Sequence, residues 1–257
     1  MLKSILSISI FTLLSCSTWA DAIVVNLVNS PDSIVEHQVR LCDEHKSILN
    51  KLHITTSEKK REVIYVETRD RFYQQNGWTI RIKIKTNTAE IDLKKRLKSN
   101  ASTTGIEEIE CELDKHGSVL QKTCSIHHEI SPQKLKKIID DDDSWTSILS
   151  KSQEKWLTKE SALREDALFH GTLNASRYEL SSPDFSEISL DIVHLSSNPF
   201  YTYHEISTRY LLKDLSRKSA LFLNYVKSKK LIACPNQIDW EINKFDVMSI
   251  LNHIKVN

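Results

Sequence analysis

The sequence predicts an α+β fold in which antiparallel sheet dominates, and two features carry that expectation. The first is alternation. Val35, Val39 and Leu41 share one strand face, opposite Glu36, Gln38 and Arg40. Ile80, Ile82 and Ile84 oppose Thr79, Arg81, Lys83 and Lys85, and Ile91 and Leu93 oppose Glu90, Asp92 and Lys94. Ile109, Cys111 and Leu113 oppose Glu108, Glu110 and Glu112; Ile188, Leu190 and Ile192 oppose Glu187, Ser189 and Asp191. A period of two sends alternate side chains to opposite sheet faces, so the apolar set marks the buried face. The second feature is helical patterning between strands. Ser131-Pro132 opens one helix, with proline where a missing N–H costs nothing. Residues 211–226 form another, with Leu212, Leu215, Phe222 and Val226 on one face. The run Asp140-Asp141-Asp142-Asp143 before Ser144 suits a helix start, where carboxylates meet unpaired N–H groups. It lacks the spaced oxygens and glycine turn of a calcium loop.

The N-terminus carries the parts of a secretory signal: Lys3, an apolar stretch over 4–14, and a small-residue exit at Ala20-Asp21-Ala22. The apolar stretch is too short to span a bilayer. The expected division is a signal peptide over 1–22 and a single domain over 23–257, exported to the periplasm or the medium. Leu13-Leu14-Ser15-Cys16 resembles a bacterial lipobox, which would instead leave Cys16 as a lipid-bearing terminus, so membrane attachment is expected only if Cys16 is lipidated.

Charge is balanced, 35 Lys+Arg against 34 Asp+Glu. This excludes a whole-surface polyanion binder but not a locally basic pocket. With 4 glycines the chain has no glycine-rich phosphate loop, and no nucleic-acid motif is present. Apart from Cys16, four cysteines remain, none in a C-x-x-C spacing. His127-His128-Glu129 is the nearest approach to a metal cluster, but adjacent strand residues face opposite ways, and it is assigned to the surface.

The polar strand faces hold runs of like charge: Arg81, Lys83 and Lys85 on one strand, Glu108, Glu110 and Glu112 on another. Like charges two residues apart repel, and an open sheet surface gains nothing from them. Either basic and acidic strands neutralise each other across an exposed sheet, or the polar faces line a closed barrel that grips an anion and a divalent metal.

The order of these segments resembles the CYTH superfamily of triphosphate tunnel enzymes. An opening E-x-E-x-K strand is matched by Glu36-His37-Gln38-Val39-Arg40, and a tyrosine–aspartate–threonine turn by Tyr65-Val66-Glu67-Thr68. Phe72 and Gly77 precede the basic strand Ile80-Arg81-Ile82-Lys83, and Ile91-Asp92-Leu93-Lys94 and Glu108 to Glu112 follow. Ala175-Ser176-Arg177, Leu190-Asp191 and Tyr203-His204-Glu205-Ile206-Ser207 stand where the second half of the family pattern falls. The resemblance spans residues 33–231. It implies an antiparallel β-barrel tunnel of about eight strands with helices packed outside.

It also implies a site. Arg40, Arg81, Lys83, Lys94 and Arg177 would hold a polyphosphate or triphosphate-type anion. Glu36, Glu108, Glu110, Glu112, Asp191 and Glu205 would supply oxygen ligands to Mg²⁺ or Mn²⁺. Three positions depart from the pattern: Gln38 and Ser207 replace acidic residues and Ala175 replaces a lysine. The implied function is therefore binding of a phosphate-rich anion, with metal-dependent hydrolysis of a triphosphate or polyphosphate as the reaction. The alternatives are a non-catalytic degenerate barrel binding a ligand or partner in the envelope, and a structural protein whose strand charges are only salt bridges.

Cys111 and Cys124 are expected to form a disulfide. Both flank Asp114-Lys115-His116-Gly117-Ser118, whose polar, glycine-containing character marks a turn, and pairing them centres the reversal at Gly117-Ser118. Cys42 and Cys234 remain as a second pair that nothing local brings together.

Overall fold

The computed structural model describes residues 31–54, 59–97, 103, 105–141, 143–195 and 202–235. The expected signal segment, Cys16 and the domain boundary at residue 23 lie outside the described residues. Among the described residues the strands are β1 (Ile34–Leu41), β2 (Lys59–Glu67), β3 (Trp78–Ile84), β4 (Ala89–Arg96), β5 (Glu110–His116), β6 (Val119–Ile130), β7 (Leu168–Ser182), β8 (Phe185–Leu195) and β9 (Thr202–Leu211). The helices are α1 (His45–Leu52), α2 (Phe72–Gln75), α3 (Pro132–Asp140), α4 (Lys151–Lys159) and α5 (Leu215–Ser228). The strands close into a barrel ordered β1-β5-β6-β4-β3-β2-β7-β8-β9. The expected barrel is present, with two corrections: it has nine strands, and the β1–β5 pair is parallel. The parallel pair is where the chain returns to its first strand, which bonds β9 on the other side. Closure gives every described strand a neighbour on both sides and so removes the exposed sheet edge.

The apolar strand faces point outward, beneath helices, and the polar faces point in. One outer core packs Ile80, Ile82, Ile91, Leu93 and Ile126 under α2, α3 and α4. Ser131 caps α3 as its spacing predicts, accepting from the Lys134 N–H. Ser144 caps only a short 3₁₀ turn, Trp145–Ile148. The second outer core packs Val35, Val39, Ile188, Leu190, Ile192 and Ile206 under α1 and α5.

Two polar groups fasten helices to this wall. Fully buried Gln153 of α4 donates from Nε2 to the carbonyls of Ile91 and Ile126, both at 3.1 Å, and so ties α4 to β4 and β6. Its Oε1 accepts the Ser150 N–H at 3.0 Å, completing a capping box. Buried Glu67, at the end of β2, accepts the N–H groups of Thr68, Tyr73 and Gln74 and organises the first turn of α2.

The expected hairpin is present, with Cys111 opposite Cys124 and His116 opposite Val119, so Gly117 and Ser118 form the reversal. Cys111 and Cys124 are bonded, and so are Cys42 and Cys234. The second pair is brought together by the segment after α5. There the Cys42 N–H donates to the Ile232 carbonyl at 2.9 Å and the Cys234 N–H to the Arg40 carbonyl at 3.0 Å. Cys42–Cys234 spans 192 residues against 13 for Cys111–Cys124. In the chain-entropy account these loops correspond to about 5 and about 3 kcal/mol. Denaturant unfolding of the two Cys→Ser double variants should therefore show the larger loss for Cys42–Cys234; the reverse order would place the stabilisation in native contacts.

Acid stability has a determinant on the outer face of β1. His37 is 1% exposed, its Nδ1 lies 3.1 Å from the Tyr210 hydroxyl, and its ring packs against Phe222. Burial first, then the charges of Lys115 and His116, push its pKa down to about 3. The unfolded histidine, near pH 6.5, binds a proton that the native one refuses, so stability falls as pH drops from about 6.5 towards 3. His204, lowered to about 4 by burial and then by His45, acts in the same sense. Each contributes a slope of at most about 1.4 kcal/mol per pH unit. Urea midpoints measured from pH 7 to 4 should fall, and His37→Asn should flatten that decline; an unchanged slope would remove His37 as its source.

Candidate functional site

Because the apolar faces are committed to the outer cores, the inward faces of the strands meet in a charged lumen. Its central section is a cavity of about 180 Å³. Arg61 from β2, Arg81 and Lys83 from β3, Lys94 and Arg96 from β4, Arg177 from β7 and Arg209 from β9 line it. Six carboxylates accompany these seven cations: Glu36, Asp92, Glu112, Asp114, Asp191 and Glu205. The lumen is thus a lattice of opposite charges rather than a bare cationic channel.

Asp92 is its most buried member, with no exposed surface. Arg81 Nε donates to its Oδ2 at 2.6 Å, Lys83 Nζ lies 3.1 Å from the same oxygen, and His127 Nδ1 lies 3.2 Å from Oδ1. Burial alone would raise the Asp92 pKa; Arg81, Lys83 and His127 outweigh it and hold the carboxylate well below its usual range. Across the lumen Asp191 accepts from Arg61 and from Arg177 Nε, each at 2.9 Å. Glu205 accepts from the Tyr203 hydroxyl.

Glu36, Glu112 and Asp114 form the acidic corner, with a carboxylate oxygen from each within 4.8 Å of the others. The β1–β5 pairing sets Glu36 beside Asp114. Lys94 Nζ lies 3.1 Å from Asp114 and 3.4 Å from Glu112, while Arg209 reaches Glu36 at 3.2 Å and Glu112 at 3.6 Å. Burial, then the nearby Glu36, raise the Glu112 pKa. Burial would also raise Asp114, but Lys94 and the Thr123 hydroxyl lower it. Three carboxylates with only oxygen donors suit a hard divalent cation.

Of the residues expected at the site, Arg81, Lys83, Lys94, Arg177, Glu36, Glu112, Asp191 and Glu205 line the central lumen. Arg40 sits near its far end, with its guanidinium carbon 5.7 Å from the centre of the Tyr203 ring. Glu110 lines the opposite, wider mouth. Glu108 is exposed and precedes β5, at a φ of 62° that breaks the strand alternation. The acidic corner therefore forms without Glu108 or Glu110. Asp191 and Glu205 do not join it, being held by arginines and by Tyr203.

Asp114 joins the corner because β5 runs to His116; its apparent turn is confined to Gly117-Ser118. Continuing the period of two from Glu112 would have found Asp114, and the same step from Ser207 finds Arg209. Arg61 precedes the motif at Tyr65 by two strand periods. His127, assigned to the surface, has a side chain 41% exposed yet lines the lumen, because β6 turns that face inward. The departures also lie inside: Gln38 donates to Glu36 at 2.7 Å, and the hydroxyls of Ser207 and Ser189 are 3.0 Å apart.

No family model matches the sequence, and no curated protein matches it. Solved structures do. HpAC1 from Hippeastrum, an adenylyl cyclase candidate with a dominant triphosphatase activity, matches with a TM-score of 0.57 and 16% identity, over 79% of this chain and 91% of that one. A candidate adenylate cyclase from Bacillus halodurans matches with a TM-score of 0.56 and 18% identity, over 78% of this chain and 92% of that one. With the closed barrel and its inward charges, these likenesses show that the chain shares the fold of these two structures, the barrel expected from the CYTH resemblance.

Proposed function

We propose that the lumen binds a phosphate-rich anion together with a divalent cation, and that the bound triphosphate or polyphosphate is hydrolysed there. The observation that carries this reading is the convergence of seven cationic side chains on one cavity whose acidic corner is Glu36, Glu112 and Asp114. Arg61, Arg81, Lys83 and Arg177 would take phosphate oxygens, the arginines in the forked geometry that suits them. Glu36, Glu112 and Asp114 would hold Mg²⁺ or Mn²⁺, which when bound supplies charge neutralisation and Lewis acidity at a phosphoryl oxygen. Lys94 and Arg209 now neutralise that corner and would turn towards the anion. Positioning and charge neutralisation are the main demands of phosphoryl transfer. Export through residues 1–22 belongs to the same reading; the two disulfides support an oxidising compartment. There inorganic polyphosphate or an envelope phosphate compound is a better-suited ligand than a nucleotide.

A second reading, a barrel that binds without turnover, is favoured by the three departures. Gln38, Ala175 and Ser207 remove two carboxylates and one cation from the pattern that the resemblance implies, and Gln38 and Ser207 hydrogen-bond within the wall.

Two measurements separate these readings. With Mg²⁺ or Mn²⁺ the protein should release phosphate from tripolyphosphate, and Arg81→Met combined with Asp92→Asn should abolish release. The paired change avoids stranding a buried charge. Binding without release under either metal would favour the non-catalytic barrel, and no binding would leave only a structural role. In the second measurement, Asp114→Asn should weaken Mn²⁺ binding by roughly tenfold or more, the scale on which metal sites respond to lost support. Unchanged Mn²⁺ affinity would remove the corner as the metal site.

A further inference from the structure

The charged lattice does not run the length of the lumen. Towards the end near Arg40 it gives way to Val63 and Tyr65 of β2, Leu173 and Ala175 of β7, Val193 of β8 and Tyr203 of β9. Strand register makes this an apolar patch edged by cations, since Arg61 pairs with Ala175, Lys83 with Val63 and Arg81 with Tyr65. Ala175, Val193 and Tyr203 are direct cross-strand partners, and Val63 pairs with Leu173. Two residues along the same strands, the next layer is Arg177, Asp191 and Glu205. Arg61, Arg81, Lys83, Asp191 and Glu205 border both sections.

The cations at its edge serve any polyanion, but an inorganic one gains nothing from Val63, Leu173, Ala175 and Val193, where its oxygens would lose water against aliphatic carbon without a donor in return; of the two kinds of ligand named above, the organic one fits this wall. An apolar group, by contrast, is favoured there in proportion to the area it covers. Resting on the anion-binding reading above, we infer that the ligand is an organic phosphate: a phosphate or diphosphate ester of a small aliphatic or aromatic alcohol. Its phosphates lie among Arg61, Arg81, Lys83 and Arg177, and its apolar group lies between Tyr65, Ala175, Val193 and Tyr203.

Titration calorimetry with Mg²⁺ tests this using two esters of equal charge, methyl diphosphate and dimethylallyl diphosphate, with tripolyphosphate as a third probe. The dimethylallyl ester should bind about tenfold or more tighter than the methyl ester, as expected for four further carbons leaving water. Ala175→Leu, which fills the layer, should shrink that ratio. Val193→Thr, which keeps the shape and adds a hydroxyl, should shrink it too and covers the case in which Ala175→Leu fails to fold. Equal affinities for the two esters, with tripolyphosphate still bound, would overturn the inference and leave the anion-binding reading standing. Failure of all three probes to bind would remove both.

Discussion

Closing a sheet whose inner faces are charged creates one constraint on everything else: each charge taken into the lumen must meet its opposite across a strand. Asp92 shows the requirement most clearly. A carboxylate with no exposed surface is tolerable because Arg81 and Lys83 on the adjoining strand and His127 on the other side surround it. A lone ion there would cost several kcal/mol, and removing one partner of such a pair typically costs about 3–5 kcal/mol. The β3–β4 and β4–β6 registers put these groups side by side, so a slip of one residue would send them into the outer core. The lattice thus specifies register as well as neutralising charge.

The outer cores make this lumen possible. Ridges of Ile, Leu and Val on the outward faces are covered by helices on two sides of the barrel, which supplies the hydrophobic stabilisation that buried ion pairs do not. Gln153 and Glu67 answer the same need at the helix ends, satisfying backbone groups that burial would otherwise strand. The Cys42–Cys234 bond holds the chain after α5 against the end of β1, close to Arg40.

Along its axis the lumen is chemically graded. Its acidic corner lies where β1 and β5 run parallel, its densest cationic region lies on β2, β3 and β7, and its apolar patch adjoins that region, with Ala175 beside Arg61 and Val63 beside Lys83. The departures at Gln38, Ala175 and Ser207 fall inside this gradient rather than outside the barrel. They change what the lumen can hold without disturbing the outward faces that build the fold.

Local pattern was enough to define the sheet, its two faces and the hairpin disulfide, because period two and turn residues are properties of short segments. Arg81, Lys83, Lys94, Arg177, Glu36 and Glu112 were legible for the same reason: each sits at the right parity on a clear strand. Asp114, Arg61, Arg209 and His127 were not, since their strands run further than their clearest motifs. Glu108 was misplaced because its own left-handed backbone sets it outside β5, which begins at Glu110. Which carboxylates share a corner, which cations bind which acids and how Cys42 meets Cys234 emerged with the folded barrel alone. Those pairings depend on strand order and register around a closed sheet, where the β1–β5 contact sets Val35 beside Leu113 and no local pattern records it.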